Sequence, residues 1–215
     1  AIIGGFGLHG GALSTLFDLP AIIIVFGGTF GAVLFQTPLP QFTTGIRMLA
    51  WVFKAQYVPL NATVERLISW GTAARTNGFL SLEAESDPFL HNALILLVDG
   101  VEPLVMQNAL DAELVLERER LLRSAKIFEA MGGYSPTIGI LGAVLGLIQA
   151  MQHINDPELL GRGIATAFVA TIYGVGFANL VFIPVANKLK SVVVQRSLYH
   201  ELIVEGVVSI ANGEN

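Results

Sequence analysis

The sequence predicts an all-α membrane protein with four transmembrane helices, the first truncated in this chain, and a helical cytoplasmic domain between spans two and three. Three observations predict it. Only 13% of the 215 residues are charged and 53% are hydrophobic, whereas an average soluble domain carries about 25% charged residues. Two stretches lack Asp, Glu, Lys and Arg altogether: 26 residues between Glu129 and Asp156, and 25 between Arg162 and Lys188. Roughly 20 helical residues cross a bilayer core, so either stretch suffices. The basic residues are segregated as well. Seven of the twelve (Lys54, Arg66, Arg75, Arg118, Arg120, Arg123 and Lys126) lie between residues 50 and 130, with Arg47 just before them, and Lys188, Lys190 and Arg196 follow the last apolar stretch. The positive-inside rule places both regions in the cytoplasm.

The elements follow in order. The opening AIIGGFGL is too short to span alone and lacks the basic start of a signal peptide. Residues 1–8 therefore read as the end of a first span and 9–18 as an outer turn. Residues 19–36, which contain PAIIIVFGGTFGAVLF, form the second span and stop where Pro38 and Pro40 interrupt a helix. Residues 37–132 form the cytoplasmic helical domain. Within it, TVERLISWGTAARTNGFLSLEAES is helical up to Asn77 and Gly78. Ser86 or Asp87 caps the next helix, with Pro88 in its first turn and Asp99-Gly100 at its end. From Glu102 onward Leu and Val recur at helical spacing, with Glu119 and Arg123 four residues apart. A third span at 133–153, an outer turn at 154–162, a fourth span at 163–185 and a cytoplasmic tail at 186–215 complete the chain.

An interior glycine costs about 1 kcal/mol relative to alanine, so Gly139, Gly142 and Gly146 in the charge-free SPTIGILGAVLGLIQAM need a compensating gain. With Ala150 they make one stripe of the third span; Gly163, Ala167, Thr171, Gly174 and Ala178 make another on the fourth. Lipid gives helices little hydrophobic reason to associate, so close approach through small residues becomes the main attraction. The stripes fit a contact within the subunit or one around a central partner. Thr171 is a mid-membrane hydroxyl, of a kind that commonly bonds back to its own helix, and Ser135, Pro136 and Thr137 stand at the inner mouth of the third span. No Asp, Glu, Lys, Arg or His lies within spans two to four apart from His153 at an outer edge. Proton relays need an intramembrane ionisable group, so a proton-moving function requires a carboxylate from another chain.

Other classes are poorly served. The absence of cysteine removes disulfides, thiolate nucleophiles and sulfur ligands. His9, His91, His153 and His200 have no metal-ligand spacing, so no metal or cofactor is expected. A net charge of -5 without a basic stripe argues against nucleic acid. No cluster of nucleophile, base and orienting group supports an enzyme, and GVGFAN at 174 is a dinucleotide pattern only superficially, lying inside a span.

Five segments, GGALSTLFDLPAIIIVFGGTFGAV, AARTNGFLSLE, LLVDG, SPTIGILGAVLGLIQAM and ATIYGVGFANLVFIPVANKL, resemble in this order and over nearly the whole chain the flagellar stator A subunits, MotA and PomA, within the wider family of ExbB and TolQ. The resemblance implies a multi-pass protein of the bacterial inner membrane. It implies a ring, five copies in the family picture, around two copies of a B subunit (MotB or PomB) whose transmembrane aspartate carries the ion. Ion flow then turns the ring against the rotor protein FliG. On this reading Gly139, Gly142, Gly146 and Gly174 form a packing face beside the partner. Arg75 and Glu83, with Glu85 as a weaker addition, contact the rotor; Thr76 stands where some members carry a second basic residue. Pro136 and Pro184 couple ion flow to conformation. Thr171, Ala143 and Pro136 border the ion path. Ala143 sits where sodium-driven members place a second threonine, and a methyl cannot replace a sodium ligand's oxygen, so the implied ion is H+ rather than Na+. The alternatives are an ExbB or TolQ type energiser of TonB or TolA, against which the apolar opening and the 19–36 stretch speak, and a membrane scaffold without ion flow.

Overall fold

The computed structural model describes residues 16–53, 60–77 and 87–213. Those residues form helices and no strand: α1 (Leu19–Gln36), α2 (Leu39–Phe53), α3 (Leu60–Asn77), α4 (Pro88–Val98), α5 (Pro103–Gln152) and α6 (Pro157–Ala211). Three of these, α1, α5 and α6, are long and apolar enough to cross a membrane. The expected end of a first span at 1–8 lies outside the described residues, as do Glu83 and Glu85.

Local chemistry accounts for the helix starts. Asp18 caps α1, its Oδ1 accepting from the Ala21 amide at 2.8 Å, with Pro20 in the first turn. Asp87, the second of the two expected caps, accepts from the Phe89 amide at 2.9 Å ahead of Pro88. Asp156 accepts from the amides of Glu158 and Leu159 ahead of Pro157. In each case a carboxylate satisfies otherwise orphaned N–H groups, and a proline sits where no N–H is needed. Gly100, with φ at 69°, ends α4 in the left-handed region open to glycine.

Two helices run farther than hydropathy alone suggests. Helix α5 continues for 50 residues with Pro136 inside it, and α6 for 55 with Pro184 inside it. Proline removes one backbone donor and crowds the preceding turn, yet spanning helices absorb this through local π adjustments. In α6 a five-residue π stretch, Ala178–Phe182, lies directly before Pro184. A second π stretch, Ile23–Gly27, interrupts α1.

The chain divides into two compact units, one drawn from residues up to Leu49 and from Ser124–Lys188, the other from Ala50–Arg123 and Leu189–Asn215. In the first, Ala21 and Val25 of α1 pack with Val169, Ala170 and Tyr173 of α6. Phe26 and Phe30 continue this contact toward Phe177 and Phe182, with the Phe26 and Phe177 rings edge to face at 4.3 Å. In the second unit, Leu67 and Trp70 of α3, Phe89 to Leu97 of α4, Met106, Leu110 and Leu114 of α5, and Ile203, Val204 and Val207 of α6 share one core. Of the tail read at 186–215, residues from Leu189 onward belong to this unit, and Ile203, Val204 and Val207 lie in its core. The reason is visible in their spacing: Val193, His200, Ile203, Val204 and Val207 recur on one helical face and are buried.

That core carries one polar cluster. His200 is buried and stacked on Phe89, with ring centroids 4.3 Å apart. Its Nδ1 lies 3.4 Å from Glu117 Oε2 and its Nε2 3.6 Å from Asp87 Oδ2, while Arg196 reaches both carboxylates at 3.5 and 3.8 Å. The His200 hydrogen bond, with the charges of Arg196 and Arg120, holds the Glu117 carboxyl below the usual carboxylate range against the opposing pull of burial. A folded value below the unfolded one gives stability that is complete above the unfolded value of about 4.3 and is lost as pH falls through the folded value. Melting of the purified protein between about pH 5.5 and 3 should therefore show an acid loss of stability that is shallower in Glu117→Gln.

Candidate functional site

The glycine stripe of the third span lies against the small stripe of the fourth. A Cβ built on Gly139 would stand 2.9 Å from the Ala170 carbonyl oxygen and from Gly174 Cα; one on Gly174 would stand 2.7 Å from the Ser135 oxygen. Gly146 meets Gly163 and Ala167 in the same way, and Gly163 meets Ala150. As the number rises along α5 it falls along α6, so the two helices run antiparallel in backbone contact. On its other side Gly142 abuts Ile24 of α1, and Gly28 of α1 abuts Ile138. At Gly139, Gly146, Gly163 and Gly174 helix backbones approach to a distance that any Cβ would prevent, while Gly142 and Gly28 make room for side chains of the facing helices.

Gly139, Gly142, Gly146 and Gly174 are all buried in this seam within the chain, the first of the two contacts that the stripes fit. The seam on α6 also runs through Ala170 rather than Thr171: Gly163, Ala167, Ala170, Gly174 and Ala178 are buried, whereas Thr171 is half-buried. At about 100° per residue a second step of four carries the chain off the face, and a step of three keeps it there.

Thr171 and Ala143 stand beside the seam. Ala143 follows Gly142 and Thr171 follows Ala170, the two residues in contact, so the pair lies at matching depth, each half-buried. The Thr171 hydroxyl donates to its own helix at Ala167 O, 3.1 Å away. Pro136 is half-buried in α5 and Pro184 exposed in α6. Between Tyr134 and Thr137, whose hydroxyl donates to Tyr134 O at 2.8 Å, Ser135 is fully buried and its Oγ has no hydrogen-bond partner among the described residues. Arg75 is exposed in the last turn of α3 and borders a groove with Val64, Leu67, Ile68, Glu205 and Gly206. Thr76 beside it donates to Thr72 O at 2.9 Å.

The sequence reading passed over a polar knot between α1 and α6. Asp18 accepts at Oδ2 from the Thr166 hydroxyl at 2.7 Å, while the Tyr173 hydroxyl donates to Leu16 O and lies 3.5 Å from the Asp18 amide. Asp18 thus caps one helix and fastens another. Its place just before Leu19-Pro20 signals the cap; nothing in the local sequence signals Thr166, 148 residues away.

Comparison with known proteins rests on this frame. Residues 81–201 match the model of the MotA/TolQ/ExbB proton channel family. The chain belongs to this family. Within it, the MotA/TolQ/ExbB member described here is 33% identical to chemotaxis protein PomA of Vibrio alginolyticus over its whole length, covering 88% of that protein, and 35% identical to motility protein A of Bacillus subtilis, covering 81%. Its fold is similar to a solved MotAB structure of C. jejuni, with a TM-score of 0.91 at 29% identity over 100% of this chain and 86% of that one. The MotAB stator complex of Bacillus subtilis gives a TM-score of 0.87 at 32% identity, covering 99% and 86%. The resemblance to flagellar stator A subunits, first carried by five short segments, therefore extends through the whole MotA/TolQ/ExbB chain. Its three long apolar helices suit a multi-pass membrane protein.

Proposed function

We propose that the chain is the A subunit of a proton-driven flagellar stator. Several copies, five on the family picture, surround a B subunit of the MotB type in the bacterial inner membrane. The supporting observation is the whole-chain likeness to MotAB stator structures. The topology follows with four spans: residues 1–8 end the first, 19–36, 133–153 and 163–185 are the others, and 37–132 with 186–215 are cytoplasmic. The absence of Asp, Glu, Lys and Arg between Glu129 and Asp156 and between Arg162 and Lys188 means that the proton is carried by a carboxylate of the B subunit. That carboxylate passes the half-buried face holding Pro136, Ala143 and Thr171, beside the glycine seam. The seam keeps α5 and α6 moving as one body, and Pro136 and Pro184 are the points where α5 and α6 flex.

Torque reaches FliG through Arg75, Glu83 and Glu85. Charge reversal, Arg75→Glu or Glu83→Lys, should leave the protein in the membrane with its B subunit but cut swimming speed by more than half. Restoration by an opposite reversal on FliG would show direct pairing. If both reversals swim at parental speed, the rotor assignment is wrong.

A further inference from the structure

Asn179 occupies an unusual place. Helix α6 turns Gly174 against Ser135 and Gly139 of α5, buries Ala178, and directs Phe182 at Phe26 and Phe30 of α1. Asn179 falls on the remaining side and is exposed, within the proposed fourth span. Its Nδ2 donates to the Val175 carbonyl oxygen of its own helix at 2.9 Å. A carbonyl can only accept, so this bond fixes the carboxamide with Oδ1 pointing outward. Among the described residues Oδ1 has no donor. An unpaired amide oxygen is costly in hydrocarbon, and polar side chains on spanning helices act as attachment points for another helix.

A matching donor stands where α1 meets α5. The Tyr134 hydroxyl donates to Gln36 Oε1 at 2.9 Å, and both side chains are exposed. That bond turns Gln36 Nε2 outward with both its hydrogens unused among the described residues. The depths agree. Gly174 is level with the Ser135 to Gly139 turn; counting inward along antiparallel helices, Tyr134 is about three residues and Asn179 about five residues beyond that level, a difference of about 3 Å at 1.5 Å per residue. Asn179 is exposed on α6 and Gln36 is exposed where α1 meets α5, and among the described residues no hydrogen bond joins the two within the chain. Copies related by rotation bring one side of each against the other side of the next, the kind of contact that closes a ring.

We propose that Asn179 Oδ1 of one copy accepts a hydrogen bond from Gln36 Nε2 of the next, a polar staple in the inner part of each contact between copies of this chain. The staple rests on the ring assembly proposed above. Its occupant is a second copy rather than lipid or the B subunit, because the chain itself supplies the complementary amide at the right depth.

Since the chain has no cysteine, Gln36→Cys and Asn179→Cys can be introduced singly and together, co-expressed with the B subunit, and treated in native membranes with a short bis-maleimide. The double variant should give a ladder of cross-linked A chains, and neither single variant should. A double variant without a ladder overturns the staple while the ring reading stands, provided the mass of the untreated parental complex shows several A copies. A parental complex with a single A copy overturns the ring reading and the staple with it. Asn179→Cys that reacts with a membrane-soluble maleimide as fully in the assembled complex as in dissociated chains faces lipid, and this too overturns the staple. Asn179→Leu should lower the detergent concentration at which the complex falls apart, and Asn179→Gln should largely restore it.

Discussion

Replacing Gly174 by valine should empty the membrane of assembled complex and abolish swimming in soft agar. A Cβ at this position stands 2.7 Å from the Ser135 oxygen and 2.8 Å from Gly139 Cα, both backbone atoms, so no side-chain rotation relieves the clash. The helices must separate, and separation also opens the contacts of Gly139, Gly142, Gly146 and Gly163. Overpacking of an adaptable core costs about 1–3 kcal/mol; a seam that cannot adapt belongs at or above the upper end. With a shift of about 2–4 °C per kcal/mol for chains of this size, any Gly174→Val protein recovered should melt at least about 6 °C below the parent. Gly176 is the control, since a Cβ there meets nothing within 4 Å among the described residues. Gly176→Val should assemble and swim. The reverse pattern, with Gly174→Val tolerated and Gly176→Val lost, would show that the seam is misplaced.

The second large effect concerns the driving ion. Cells relying on this chain and its B subunit should stop swimming when a protonophore collapses the proton gradient, and should keep their speed when sodium is replaced by potassium. Ala143 brings a methyl to the depth at which Thr171 stands, and the Thr171 hydroxyl is bonded to Ala167 O. Ala143 supplies no oxygen, so at this depth Thr171 alone can offer one toward sodium's water shell, whereas a proton on the proposed B subunit's carboxylate requires no such ligand. Swimming that survives the protonophore and fails without sodium would overturn this assignment.

Much of the fold was legible one helix at a time. Asp18-Leu19-Pro20, Asp87-Pro88 and Asp156-Pro157 each announce a helix start, and Asp99-Gly100 an end, because capping depends on atoms within a few residues of one another. The apolar stretches marked α1, α5 and α6 by the same local logic. The candidate site was legible only in outline. The glycines at 139, 142, 146 and 174 announced a close approach, but a stripe does not name the helix that approaches.

The sequence by itself determined the all-helical class, the long apolar helices among the described residues, and the family. All of these are sums over composition or short-range order. Only the tertiary structure decided that the glycine seam closes within one chain, that Ala170 rather than Thr171 lies in it, that Ile203, Val204 and Val207 complete the second core, and that Asp18 is fastened to Thr166. Each is a pairing of residues far apart along the chain, and which partner fills a gap depends on the helix axes, which no local pattern specifies.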